Sequence, residues 1–254
     1  MEYIHDGQCI WCGRKRPFVT FNTIPHILPK SLGGIETCVD VCDECNHYFG
    51  TAEKGLPSID IVIREIFESF RLFGTNYYDK HKLSKKFVFF HYNQETRKLK
   101  LKNTFRDATI TSQFKRGLYE LFLQKYHYET FKGNETQWDW VRMYARYGTE
   151  YTPREPHVFY AFNNVTFFPD DEHVNKIPMS KRIIDDIQKY GVFHCFLMGQ
   201  HFYLEVLPHL FQHFGSAYLQ NEANTMLLLA KGDERIFEFT NIKQIDPFMT
   251  RYSE

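Results

Sequence analysis

An α+β fold with a small cysteine-rich module at its N-terminus is predicted by three features of this 254-residue chain. Five of its six cysteines, Cys9, Cys12, Cys38, Cys42 and Cys45, crowd into the first 45 residues. Segments with apolar residues at helical spacing are interleaved with segments that alternate strictly, so both structural periods are present. Hydrophobic residues make up 43% and aromatics 17%, with 25 Phe and 16 Tyr, which is enough for a sizeable core and too apolar for a disordered chain.

Taken in order, residues 1–56 are rich in Gly and Cys with short apolar pieces, the texture of a module held by metal. Pro57-Ser58 then opens SIDIVIREIFESFRLFG, in which Ile59, Ile61, Val62, Ile66, Phe70 and Phe73 share one helical face, Ser58 caps the start and Gly74 the end. KFVFFHY and RKLKLKN, joined by Asn93-Gln94-Glu95-Thr96, predict a β-hairpin because the second segment alternates strictly. Helical patterns cover residues 112–131 and 136–147, and residues 148–156 form a break between halves. Beyond it, HVFYAF and NVTFFP predict strands, residues 180–190 a helix, and VFHCFLMG with HFYLEVL a strand pair around Gly199. A short helix over 208–218 follows, and NTMLLLA, the turn at 231–234 and RIFEFTN predict a closing hairpin. Three regions result: 1–56, a zinc-type module; 57–150, a helix, a basic hairpin and further helices; and 151–254, an α+β region without a chemical motif.

The chain carries 31 Lys+Arg against 31 Asp+Glu, so it lacks the strongly basic balance of many nucleic-acid binders. The charge is unevenly placed, however. Residues 80–106 hold nine basic side chains (Lys80, Lys82, Lys85, Lys86, Arg97, Lys98, Lys100, Lys102 and Arg106) and one acidic, Glu95. Such a stretch is either a phosphate-attracting surface or a hairpin edge kept soluble by lysine. No run of 18 apolar residues exists, and the most apolar stretch, 191–207, is interrupted by His194, Gln200, His201 and Glu205, which excludes a membrane-spanning helix. The N-terminus lacks the basic start and apolar segment of a signal peptide, so a soluble, cytoplasmic protein with no membrane partner is expected.

Cys9-x-x-Cys12, 29 intervening residues and Cys42-x-x-Cys45 present two thiolate pairs to one ion, a complete tetrahedral zinc shell. Clustered cysteines in a chain without a secretion signal favour metal over disulfides. Because folding and metal binding are coupled in such modules, the ion contributes on the order of 10 kcal/mol. A closed shell of four thiolates makes zinc a staple and not the catalyst. Cys38 reads as a small buried residue.

Between the knuckles, residues 23–34 read Thr-Ile-Pro-His-Ile-Leu-Pro-Lys-Ser-Leu-Gly-Gly, and residues 42–50 read Cys-Asp-Glu-Cys-Asn-His-Tyr-Phe-Gly. This pattern resembles the HNH endonuclease family, in its zinc-bound branch with HIxPxSxGG between knuckles and CxxCN at the second. The resemblance covers about residues 7–56. It implies a ββα-metal fold in which His26 ends the first strand and serves as general base toward a phosphodiester in DNA. It further implies one divalent ion, Mg2+ or Mn2+, at the scissile phosphate and the leaving oxygen. Asn46 then falls where the family carries a catalytic metal ligand on its helix.

The sequence departs from the family pattern twice. Pro25 stands where a side-chain metal ligand usually precedes the base, and Thr37 falls near the position of the middle Asn, whose amide geometry a hydroxyl does not reproduce. A hard cation needs oxygen donors, and Glu53, at helical spacing from Asn46 and Gly50, is the expected substitute. Asp43 and Glu44 read as favourable charges at a helix start, His47 as a surface residue, Gly33-Gly34 as turn glycines, and Lys30 as a phosphate contact. Two functions stay open: a nuclease, or an inactive ββα zinc module that scaffolds nucleic acid or protein. By analogy of architecture, a regulatory protein partner could gate the nuclease. His91, His157, His173, His194, His201, His209 and His213 form no ligand pattern, and Trp138, Trp140, Tyr144 and Tyr147 read as core aromatics in preference to base-stacking ones.

Overall fold

The computed structural model describes residues 2–53, 55–73, 86–93, 95–96, 98–162, 176–229 and 235–245. The N-terminal module is a knuckle turn, a short bridged hairpin and helix α1 (Asp43–Gly50). Helix α2 (Ile59–Phe73) follows, and the Ser58 hydroxyl accepts the Ile61 N–H at 3.3 Å, as its capping role requires. The expected stop at Gly74 lies outside the described residues. Strands β1 (Phe90–Asn93) and β2 (Lys98–Leu101) pair antiparallel, Phe90 opposite Leu101 and Asn93 opposite Lys98. Leu99 points inward while Lys98 and Lys100 are exposed, so the alternation puts the basic side chains in water.

Helix α3 (Asp107–Thr130) starts five residues earlier than its apolar pattern and ends at Phe131, which adopts a left-handed conformation. A single helical turn, Thr136–Trp138, leads into α4 (Asp139–Tyr147). Trp138 and Tyr144 are buried against Phe122, Tyr126 and Tyr119 of α3, as core aromatics should be. After the irregular break come β3 (Val158–Phe162), α5 (Lys181–Tyr190), β4 (Val192–Leu197) and β5 (Gln200–Glu205). Met198 and Gly199, both at positive φ, turn β4 into β5, the conformation that a two-residue hairpin needs. The strand expected at NVTFFP lies outside the described residues.

The C-terminus departs from expectation. Pro208–Leu210 begins a helical run that passes through a π-turn at Phe211–Gly215 into α6 (Ser216–Leu229). The segment NTMLLL is therefore helix and not the first arm of a hairpin. Its Leu and Met residues, which do not branch at Cβ, are good helix formers, and a short apolar run does not distinguish helix from strand by period. The other arm is a strand, β6 (Arg235–Glu238), but it pairs with β3, Tyr160 opposite Phe237. The sheet order is β4-β5-β3-β6, with every neighbouring pair antiparallel.

One face of this sheet packs on α3 and α2 through aromatic contacts: Phe114 to Phe202 at 5.5 Å, Phe122 to Phe193 at 5.0 Å and Phe67 to Phe202 at 6.2 Å. The other face is covered by Tyr190, Phe211 and Tyr218. Among the described residues the main buried cluster extends from Cys9 to Ile245, through the N-terminal module, the helices and one face of the sheet, and the smaller one lies on the other face. No helix of the described residues is long and apolar enough to cross a membrane.

Helices α2 and α3 approach so closely at Gly117 that a Cβ there would lie 2.3 Å from Ile63 Cγ1 and 3.0 Å from Ile59 Cγ2. Both isoleucines are buried and β-branched, so neither swings aside freely in a helix. Gly117→Ala gains helix propensity yet overpacks the crossing, for a net cost of about 1–2 kcal/mol. The expected outcome is a melting temperature lower by roughly 3–6 °C in a thermal scan; an unchanged or raised value would mean that the two helices do not cross here.

Candidate metal centre and active site

The first knuckle is a tight turn in which the Cys9 N–H donates to the Arg14 carbonyl and the Gly13 N–H to the Cys9 carbonyl, each at 2.9 Å. Gly13 sits at φ 69°, a conformation that strains any residue with a Cβ. The second knuckle opens α1, with Cys42 as its N-cap and Cys45 in its first turn. The four sulfurs lie within 4.8 Å of one another. Cys12 Sγ and Cys42 Sγ are 3.8 Å apart, and zinc–sulfur bonds of about 2.3 Å set tetrahedral sulfurs about 3.8 Å apart. Backbone N–H groups of Trp11 and Cys42 both donate to Cys9 Sγ at 3.4 Å, which orients and stabilises a thiolate ligand. Sharing protons among themselves, the thiols split: hydrogen bonding to Cys42 pulls Cys12 far below its ordinary value, while hydrogen bonding to Cys12 pushes Cys9 and Cys45 far above theirs. Only a bound cation lets all four ionise together. The donor set fits a structural zinc ion. Cys38 is no fifth ligand; it is buried and its thiol donates to the Val39 carbonyl at 3.2 Å and the Gln124 carbonyl at 3.5 Å.

Asp40, between the knuckles, is fully buried at φ 57° and ties down the N-terminal segment by accepting the N–H groups of His5, Asp6 and Gly7 at 2.8–3.0 Å. Burial raises its pKa, but His127 and the three backbone donors outweigh that and hold the carboxyl below its usual value. His127 accepts the Gly133 N–H at Nδ1, so its own proton sits on Nε2, 3.6 Å from Asp40 Oδ2. His5, Asp6 and Asp40 also cluster, but the Asp40 oxygens are already taken by these backbone donors.

The hairpin between the knuckles is held by the Ile27 N–H to the Glu36 carbonyl at 3.1 Å and the Cys38 N–H to the Pro25 carbonyl at 2.8 Å. His26 faces Thr37 across it. Gly33, at φ 85°, and Gly34 make the loop; a Cβ on Gly34 would lie 2.0 Å from the Leu28 carbonyl oxygen, so the chain reverses only through glycine. His26 is half-buried, and its inner nitrogen Nδ1 has no hydrogen-bond partner. Burial, with the charge of Lys30 second, lowers its pKa from the ordinary imidazole value. The ring is therefore neutral at pH 7, the form in which it accepts a proton.

Asp43, the first residue of α1, does more than favour a helix start. Its carboxylate accepts the Asn22 and Thr23 N–H groups at 2.8 and 2.7 Å and the Thr23 hydroxyl at 2.7 Å, and it also binds the Asn22 amide and the Thr20 hydroxyl. Partial burial raises its pKa, but the Thr20 and Thr23 hydroxyls with the backbone donors hold it at about 2. The Asn46 amide donates to the Thr23 hydroxyl at 3.0 Å. Asp43 and Asn46 thus clamp the segment that leads into Pro25 and His26, while the Asn46 amide oxygen has no protein partner among the described residues.

Residues 9–54 match the HNH endonuclease family model. No curated protein and no solved structure matches the chain. The match ends where the helix and its turn end, and it contains both knuckles, His26 and Asn46. The matched segment carries His26 on its hairpin and Asn46 on α1, and Asn46 bonds Thr23, three residues before His26. Glu53 does not join them by the helical face expected of it. Helix α1 stops at Gly50, Thr51 is extended at φ −111° and ψ 136°, and Glu53 stands exposed in a turn closed by the Leu56 N–H to the Glu53 carbonyl at 2.8 Å. Among the described residues, the His, Cys, Asp and Glu side chains that gather in threes or more include neither His26 nor Glu53. Pro25 is buried, and a hard-cation shell around His26 is not preformed. His47 is exposed, as are His209 and His213.

The purified protein is expected to hold one zinc ion per chain by atomic emission. Cys42→Ser, which removes a fully buried ligand, should abolish that stoichiometry and unfold the module, read as protease cleavage within residues 9–54. A Cys42→Ser protein that keeps full zinc and the wild-type protease pattern would remove zinc from the site.

Proposed function

We propose that the chain is an HNH-type endonuclease that hydrolyses phosphodiester bonds in DNA, with His26 as the general base. The observation that carries this reading is a neutral imidazole held opposite Thr37 on the hairpin of a module matched to that family. In this reading the outer nitrogen of His26 takes the proton of an attacking water, and an imidazole tuned near the working pH supplies roughly a hundred- to ten-thousand-fold of rate. Lys30, which already lowers the His26 pKa, attracts the phosphate to the same loop. Asp43 and Asn46 are positioning residues: they fix the 20–23 segment and so the approach of His26. The exposed lysines of β2 add a sequence-independent attraction for the backbone. We further propose that residues 57–150 brace the module and that residues 151–254 select a target or a regulatory protein partner.

Mg2+ or Mn2+ is the cofactor that the family implies, and it would stabilise charge on the scissile phosphate. The described residues offer it the Asn46 amide oxygen but no paired carboxylates, so every step above is one of the chain's own side chains. The buried, ligand-free Pro25 favours a second reading, a scaffold that binds nucleic acid without cutting it.

A plasmid-cleavage assay of zinc-loaded protein, with Mg2+ or Mn2+ added or omitted, decides between them. Cleavage that needs the added ion and is lost in a folded His26→Ala variant is expected. Zinc-loaded, folded protein that binds DNA but leaves the plasmid intact under every ion would favour the scaffold.

The low His26 pKa has a kinetic signature. The base must be neutral, so kcat/KM should rise with pH through the free-enzyme pKa, placing the acid limb below the ordinary imidazole value of about 6.5. Lys30→Ala removes a cation that opposes protonation and should move that limb upward. A limb that stays in place would take Lys30 out of the electrostatics of the base.

A further inference from the structure

On the side of α1 turned away from Asn46 lies a cavity of about 190 Å3 between α1, α3 and α4. Tyr48 and Thr51 of the α1 side, Gln113 and Arg116 of α3, and Arg146 and Tyr147 of α4 line it. Tyr48 follows Asn46 by two residues, about 200° round the helix, so this space is separate from the His26 site. Its floor is a buried cation. Arg116 is only 6% exposed, and its hydrogen bonds all go to neutral groups: Nε to the Ala145 carbonyl at 3.0 Å, one terminal nitrogen to Gln113 Oε1 at 2.5 Å, and the other to the Tyr48 hydroxyl at 2.7 Å and to the Arg146 carbonyl.

The two other buried cations of α3 are treated differently. Lys115 is paired with Glu155 at 3.0 Å, and Lys125 with Glu36 at 2.8 Å and Glu129 at 2.7 Å. Among the described residues Arg116 has no carboxylate partner, and neither has Arg146. The Arg146 guanidinium lies 4.9 Å over the Tyr147 ring and 5.8 Å from that of Tyr48, and its buried Nε has no acceptor. Glu120, one turn along α3 from Arg116, does not compensate: burial, and Asp60 second, drive it toward its neutral form. Glu53 and Glu150 also line the cavity but are exposed at its rim. Two guanidinium groups without a carboxylate partner, Arg146 with its buried Nε unspent and backed by aromatic rings, in a pocket whose lining carboxylates stand exposed at the rim, match a phosphate group.

We propose that this cavity is a phosphate-binding site separate from the HNH site, in which Arg116 and Arg146 hold the anion of a phosphate-bearing ligand. The ligand is either a free phosphate or mononucleotide, or a backbone phosphate of nucleic acid lying across α1 and α4. The site stands whether or not the module cuts DNA.

The test uses the full zinc-loaded chain, inorganic phosphate, adenosine monophosphate and a 20-nucleotide duplex, with sodium chloride at matched ionic strength as the reference. For a free ligand, phosphate or the mononucleotide should raise the melting temperature on the order of 5 °C at a hundredfold excess over Kd. Arg146→Gln should abolish that rise. For a backbone phosphate, the small anions do nothing, and Arg146→Gln instead weakens duplex binding and reduces the slope of log affinity against log salt by about 1. Should Arg146→Gln fail to fold, phenylglyoxal labelling of the wild type read by mass spectrometry replaces it, and phosphate or the duplex should protect Arg146. Arg146→Gln that behaves as wild type toward every probe, or Arg146 labelled at the same rate with and without them, overturns the proposal. His26→Ala keeps the phosphate-induced rise in melting temperature and the protection of Arg146 from phenylglyoxal, so loss of cleavage and loss of the phosphate site are told apart.

Discussion

Helix α3 has no solvent face over most of its length, and the rest of the fold is arranged to satisfy it. From Gln113 to His127 every residue is buried, including three cations, a glutamate, two glutamines and a histidine. Polar groups taken out of water at this density are costly unless partnered, and most of them are, although Gln124 Oε1 and His127 Nε2 make no hydrogen bond. The partners come from every part of the chain. Glu36 reaches Lys125 from the HNH hairpin, Asp40 faces His127 from the loop before the second knuckle, and the Pro57 carbonyl accepts from Gln113. Tyr119 donates to the Glu205 carbonyl of the sheet at 2.8 Å. A slip of α3 by one residue would break all of these at once, so polar satisfaction and not only apolar packing sets the register of module, helices and sheet.

That constraint explains how a module with little core of its own holds His26 and Asn46 in fixed places. A zinc ion held by the four cysteines would fix the two knuckles relative to one another, but neither His26 nor Asn46 belongs to that donor set. What carries rigidity from the staple to the site is α1, whose first residue is Asp43. By gathering donors from residues 20 to 23, Asp43 fastens the strand entering His26 to the helix that bears Asn46. Glu36 and Cys38, on the opposite arm of the hairpin, are anchored to α3. His26 is thus braced from both arms. The closed thiolate shell leaves the zinc no open position, which separates the staple from the chemistry.

Much of this was legible in the residues because it rests on local rules. The knuckles, the turn glycines, the Ser58 cap and the alternation of β2 follow from spacing and side-chain type, and each is present. The failures came where tertiary context decides. NTMLLL has no period that separates helix from strand, and its state depends on the helix already running into it from Pro208. Glu53 looked like a continuation of α1 because its spacing from Asn46 and Gly50 was helical; the glycine ended the helix instead. The reach of Asp43 into the 20–23 segment could have been suspected from an acid at the first helical position beside a Thr- and Asn-rich stretch. The burial of Arg116 had no local signal at all, since α3 has polar residues on all sides and only its surroundings decide which are covered.

The departures from the family pattern bear on the same physics. Pro25 offers no negative charge beside His26, and the charge that shifts the His26 pKa is Lys30, a cation. The loop is therefore biased toward anions and away from bare metal ions. In the proposed nuclease, a divalent cation would find few oxygen donors here until a phosphate brought the anionic oxygens that the protein lacks. Such a site would bind metal and nucleic acid together far better than either alone, because each supplies what the other needs. Low metal affinity of the free protein would then be a property of the ordered assembly of the site, and it would not by itself argue for an inactive scaffold.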